Sequence, residues 1–196
     1  MEALSAFIGG IVGFLASVLT EPVKNFFFGA RLKVEFNPED PGCATDTKES
    51  SGQGFNKASY IRVLVTNTGK SIAKECRAYL KDVEIWNTGT GRFEATEYCE
   101  SMQLAWSATP KPENFLSVDI PNGISRFVDV ISVRDHSREI TTHVPMVLYR
   151  YEEVLQKQTG KFRYTVLVAG DNLKPKSTQV VFEWNGKFGQ QKVSKG

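Results

Sequence analysis

The sequence predicts an all-β fold, an antiparallel β-sandwich of immunoglobulin-like or related topology, preceded by an N-terminal transmembrane helix. Two observations carry the sandwich. From residue 31 onward, β-branched and aromatic residues recur with a period of two, and clusters of Gly, Asn, Asp and Pro separate the short runs. A third carries the helix: residues 4–20, LSAFIGGIVGFLASVLT, hold no charged side chain. A chain of 196 residues supports one ordinary hydrophobic core beside such a segment. The expected division is a membrane helix and interfacial segment over 1–29, a sandwich domain over 30–185 and a polar basic tail over 186–196.

At about 1.5 Å of rise per residue, a helix of about 17 residues reaches about 26 Å, close to a hydrocarbon core of about 30 Å. Phe7, Ile8, Ile11, Val12, Phe14, Leu15, Val18 and Leu19 supply the apolar surface for insertion, and they lie all round the helix rather than on one stripe. A buried core helix is the alternative for so short a span. A secretory signal is disfavoured, because no Lys or Arg precedes the run and no small-x-small cleavage site follows it. Gly9 and Gly13 form G-x-x-x-G, and Ala6, Gly10 and Ser17 add small residues that let two helices approach closely, so self-association is expected. Lys24, Arg31 and Lys33 follow the run and no basic residue precedes it. The positive-inside rule then gives a single-pass protein of the cell inner membrane, N-terminus outside and β domain in the cytoplasm. Residues 20–29 predict a short helical turn that Gly29 ends. It places Lys24, Phe26, Phe27 and Phe28 at the bilayer surface, or packs the three rings under the domain.

The first strand is 31–36, with Leu32, Val34 and Phe36 on one face. Residues 37–57 form a polar stretch with almost no apolar content and predict a long surface loop. A strand over 58–68 points Ile61, Val63 and Val65 one way and ends in the turn Asn67-Thr68-Gly69-Lys70-Ser71. In the strand over 72–86, Cys76, Ala78 and Leu80 share one parity and Val83 and Ile85 the other, which predicts a bulge at Lys81-Asp82. Residues 87–91 turn the chain into a hairpin with 92–96. Further strands are expected at 103–107, 115–120, 125–134, 140–149, 161–168 and 178–184, with a possible helix over 151–158 and a frayed cationic end after residue 184.

The residue inventory predicts no enzyme and no cofactor. Of the two histidines, His136 and His143, neither stands at metal-ligand spacing from another His or from Cys. No G-x-S-x-G elbow is present, and Gly69-Lys70-Ser71 lacks the Gly that a phosphate loop needs, since Leu64 occupies that place. Cys43, Cys76 and Cys99 are odd in number and form no C-x-x-C pair, as in a reducing cytosol, and Cys76 is expected to be buried and inert. Glu39, Asp40 and Asp46 are the weak calcium candidates; no metal site is expected. A net charge of +2 offers no broad field for nucleic acid, so none is expected as a partner.

The blocks 31–36, 62–84, 104–107, 119–131 and 182–188 resemble a set of small prokaryotic proteins of unknown function. The resemblance rests on Gly69, Cys76, Trp106, Pro121-Asn122-Gly123 and Trp184, and implies an N-terminal membrane helix followed by one sandwich domain. It implies no catalytic residue. Two functions are expected: a membrane-anchored module that binds or scaffolds a protein partner, chiefly through 37–57, or a membrane-perturbing effector of bacterial defence activated when its helices cluster. The partners implied are the lipid bilayer and either a protein or a second copy of the chain.

Overall fold

The computed structural model describes residues 28–51, 54–156 and 159–196. The predicted insertion and association residues, and Lys24, Phe26 and Phe27, lie outside them. Among the described residues no helix is long and apolar enough to cross a membrane.

Most of the period-two runs form strands where they were expected, though the one over 115–120 begins only at Val118. β1 (Leu32–Glu35) pairs with the end of β3 (Gly54–Asn67), and β2 (Ala44–Ser51) pairs with its beginning, so both lie along one edge of β3. On the other edge runs β9 (Ser125–Arg134), which carries β7 (Ala105–Trp106) and β10 (Ile140–Thr142) beyond it. This is the six-stranded sheet. The second, of seven strands, has at its centre β4 (Ala73–Asn87) and β11 (Gly160–Ala169). β12 (Lys176–Trp184) and β13 (Lys192–Lys195) continue it on one side; β5 (Arg92–Ala95), β6 (Met102–Gln103) and β8 (Val118–Ile120) line the outer edge of β4. Every pairing is antiparallel.

The core lies between the sheets. Ile61, Val63 and Val65 of β3 and Val128, Val130 and Ile131 of β9 join Leu80 and Val83 of β4, Phe162, Tyr164 and Val166 of β11, and Phe182 and Trp184 of β12. The predicted phase slip is present. Thr165 pairs with Asp82 and Val166 with Leu80, so Lys81 is the extra residue and both parities of β4 stay buried. A second bulge, at Val130, does the same for β9, letting the adjacent Val130 and Ile131 both face inward.

Five expectations are corrected. Residues 37–57 are not a loop: after a turn, 44–51 form β2, whose ladder is made by the backbone, so a strand with no apolar face still pairs. The run 103–107 is divided, because Leu104, fully buried, carries the chain from one sheet to the other. The strand expected over 140–149 stops at Thr142; Pro145 follows and cannot donate to a ladder. The tail is tied down, with β13 paired to β12 and Val193 against the core. The helix expected over 151–158 is short: α1 (Glu152–Leu155), entered through a 3-10 turn.

Candidate functional site

Three loops meet at the end of the sandwich where the chain enters from its N-terminal segment, and one buried side chain ties two of them to the entering chain. Asn67, fully buried at the end of β3, accepts hydrogen bonds on Oδ1 from the backbone N–H of Arg31 (3.3 Å) and Gly69 (3.0 Å). Its Nδ2 donates to the carbonyls of Ser71 and Ile120, both at 2.8 Å. The amide thus holds the entering chain, the β3–β4 turn and the end of β8 together. Its backbone completes the tie, accepting from Gly123 N–H (2.8 Å) and donating to Ile124 O (3.1 Å).

Gly69 allows the close approach. A Cβ there would stand 2.4 Å from both Arg31 N and Gly29 O, atoms of the entering backbone. Lys70 N–H donates to Gly29 O at 3.1 Å, and the Lys70 ammonium lies 5.1 Å from the Phe28 ring centroid. The third loop, between β11 and β12, is fastened by Asn172, which accepts from Lys74 N–H at 2.9 Å and donates to Ile72 O at 2.8 Å.

The resulting surface mixes apolar and cationic side chains. Phe28 is 58% exposed, so it does not pack under the domain, and Ile72 and Ile124 are also exposed. Lys70, Lys74, Lys174 and Lys176 lie at the same end. Beside the entering chain a groove of about 1000 Å³ opens between Gly29–Lys33 with Thr68 and the stretch Asp171–Lys174 with Lys176.

The opposite end bears a different feature. β9 pairs with β3 only from Ala58, so the first residues of β3 pair with β2 alone, and Phe55 among them is 74% exposed. At about 3.3 Å per residue, the 14 residues of β3 separate its start from the entry end by roughly 45 Å.

The outer face of the six-stranded sheet carries the most connected polar cluster. Arg134 donates to Glu49 through Nε (2.7 Å) and Nη2 (3.2 Å) and to Thr141 Oγ1 (2.8 Å), while Tyr60 donates to Glu49. Burial alone would raise Glu49; the bonds from Arg134 and Tyr60 outweigh it and hold the carboxyl below its usual range. Arg62 pairs with Asp129 at 2.7 Å, and Ser107 also donates to that carboxylate. His143 stacks on Tyr60 at 5.2 Å, and its Nε2 lies 3.0 Å from Ser132 Oγ. A serine beside an imidazole invites a nucleophile assignment, but Ser132 has no exposed surface for a substrate to reach. The cluster fastens β2 to its sheet.

The remaining candidates sit where structural roles explain them. Burial pushes the Cys76 thiol up to about 11, far from a reactive thiolate, and raises Cys43 likewise. His136 is a surface residue beside Asp135. Asp40 Oδ1 accepts from Gly42 N–H and closes a turn, and among the described residues no three His, Cys, Asp or Glu side chains converge on a metal position. Sequence patterning missed the Asn67 and Asn172 clamps, the groove and Phe55. A lone aromatic within the polar run 37–57 was the one available signal for the last.

No protein-family model matches the chain, and no curated protein matches it.

Proposed function

We propose that this chain is a non-enzymatic β-sandwich module held at a membrane by its N-terminal segment, with the domain binding or scaffolding a protein partner on the cytoplasmic side. The observation that carries the proposal is the polarity of β3. At one end, Phe28, Ile72 and Ile124 stand exposed with lysines at the same end, where the uncharged segment 4–20 joins the domain. Exposed apolar side chains with cations beside them suit the headgroup zone of an anionic leaflet. At the other end, roughly 45 Å away by strand length, the start of β3 offers Phe55 to the solvent. An exposed aromatic on a paired strand is the kind of anchor that protein interfaces use.

Fractionation of cells expressing the full chain tests the first half. The parent is expected in the membrane fraction, resistant to salt and alkaline wash. Val12→Asp/Leu15→Asp, which puts two carboxylates at a cost of about 3 kcal/mol each into the apolar run, is expected to release it. A parent that stays soluble and monomeric without detergent sinks the proposal. For the second half, in-cell cross-linking of the parent should give a discrete partner adduct that Phe55→Ser removes while membrane fractionation is unchanged. Collapse of membrane potential on expression, with no such adduct, would point instead to the effector function.

A further inference from the structure

We propose that the groove beside the entering chain binds the headgroup of one anionic glycerophospholipid, a site that rests on the membrane-tethered function and gives it a lipid preference. The groove has the two surfaces that an amphiphile needs. Ala30 and Leu32 are buried along it and Leu173 is half-buried, giving an apolar floor for the glycerol and upper acyl carbons. Its rim holds Arg31, Lys33, Lys174 and Lys176 against the single carboxylate of Asp171.

These cations are not equally engaged. Lys33 contacts Glu35 at 2.7 Å, whereas Lys174 and Lys176 are exposed and make no ion pair among the described residues. The loop that bears Lys174 is braced by the Asn172 clamp onto Lys74 and Ile72, and Lys176 begins β12 in register with Val168. Lys174 and Lys176 thereby line one wall of the groove, across from Gly29–Lys33 of the entering chain. A phosphodiester there exchanges bulk water for two lysines, and its diacylglycerol continues over the floor toward the bilayer. A free phosphate would use the rim alone; the floor and the position at the entry end favour the lipid.

The test uses the full-length protein in a non-ionic detergent, titrated with dihexanoyl phosphatidylglycerol, dihexanoyl phosphatidylcholine and glycerol 3-phosphate, with adducts counted by native mass spectrometry. Phosphatidylglycerol is expected to bind about tenfold or more tightly than either of the others. Lys174→Gln/Lys176→Gln is expected to weaken it about thirtyfold, fivefold or so for each charge removed near the site. Lys48→Gln/Lys57→Gln, on the distant hairpin, should leave it unchanged. Equal binding of the two lipids, glycerol 3-phosphate binding as tightly as phosphatidylglycerol, or equal losses in both lysine pairs would overturn the proposal. So would an absence of any adduct, the result expected if the N-terminal segment or a second copy fills the groove. Because the titration is done in detergent, its failure is distinguishable from failure of membrane anchoring, which fractionation reads separately.

Discussion

At the scale of single residues, the entry end depends on one amide and one missing side chain. Gly69 has no room for a Cβ, since the atoms it would meet belong to the backbone of Gly29, Ala30 and Arg31 rather than to a flexible side chain. Gly69→Ala is therefore expected to lower stability by about 1–3 kcal/mol, read as a shift of the urea midpoint with unchanged slope. An alanine variant as stable as the parent would show that the entering chain can shift away at no cost. His143 makes a second expectation. Burial lowers its pKa below the ordinary 6.5; the Asp129 charge opposes the shift, Arg134 and Lys111 add to it, and Glu49 opposes it. Below pH about 6.5 the unfolded chain then binds more protons than the folded one, so stability is full above that pH and declines as the solution is acidified. The melting temperature should fall between pH 7.5 and 5.5, and His143→Phe should flatten that dependence. These residue-scale features were only partly legible. Asn67-Thr68-Gly69 reads as a turn from residue type alone, but which distant carbonyls an asparagine bonds is set by Ile120, 53 positions on.

At the scale of elements, β4 shows how far pattern can reach. Its change of parity was visible in the order of Leu80, Val83 and Ile85, because a strand can bury both sets only through an extra residue. Deleting Lys81 should turn Val83 and Ile85 outward or force re-pairing with β11, and the protein should fail to fold cooperatively. Lys81→Ala keeps the residue count and removes only an exposed side chain 3.6 Å from Asp82, so it should change stability by no more than about 0.5 kcal/mol. Comparable losses in both variants, measured by chemical denaturation, would mean that the side chain and not the bulge matters. β2 and β13 were illegible for the opposite reason. Each is an edge strand held by backbone pairing, and Thr45, Asp46, Thr47 and Lys48 leave no apolar period to detect.

At the scale of the whole molecule, the two sheets share one core, and the chain crosses between them at the buried Leu104. Trp106 belongs to the six-stranded sheet and Trp184 to the seven-stranded one. Unfolding of the domain should therefore be one transition, with coincident midpoints from tryptophan fluorescence and far-ultraviolet circular dichroism. Separate midpoints would show that the sheets come apart independently. The sequence by itself determined the all-β class, the principal strands and the buried face of each, since period-two alternation is a local record of which side meets the core. It also determined that the opening segment is apolar and uncharged, a fact of composition. Only the tertiary structure decided that Arg31, Lys70, Lys174 and Ile124 share one end while Phe55 stands at the other. Antiparallel pairing brings together residues far apart in the chain, and no local period encodes which strand lies beside which.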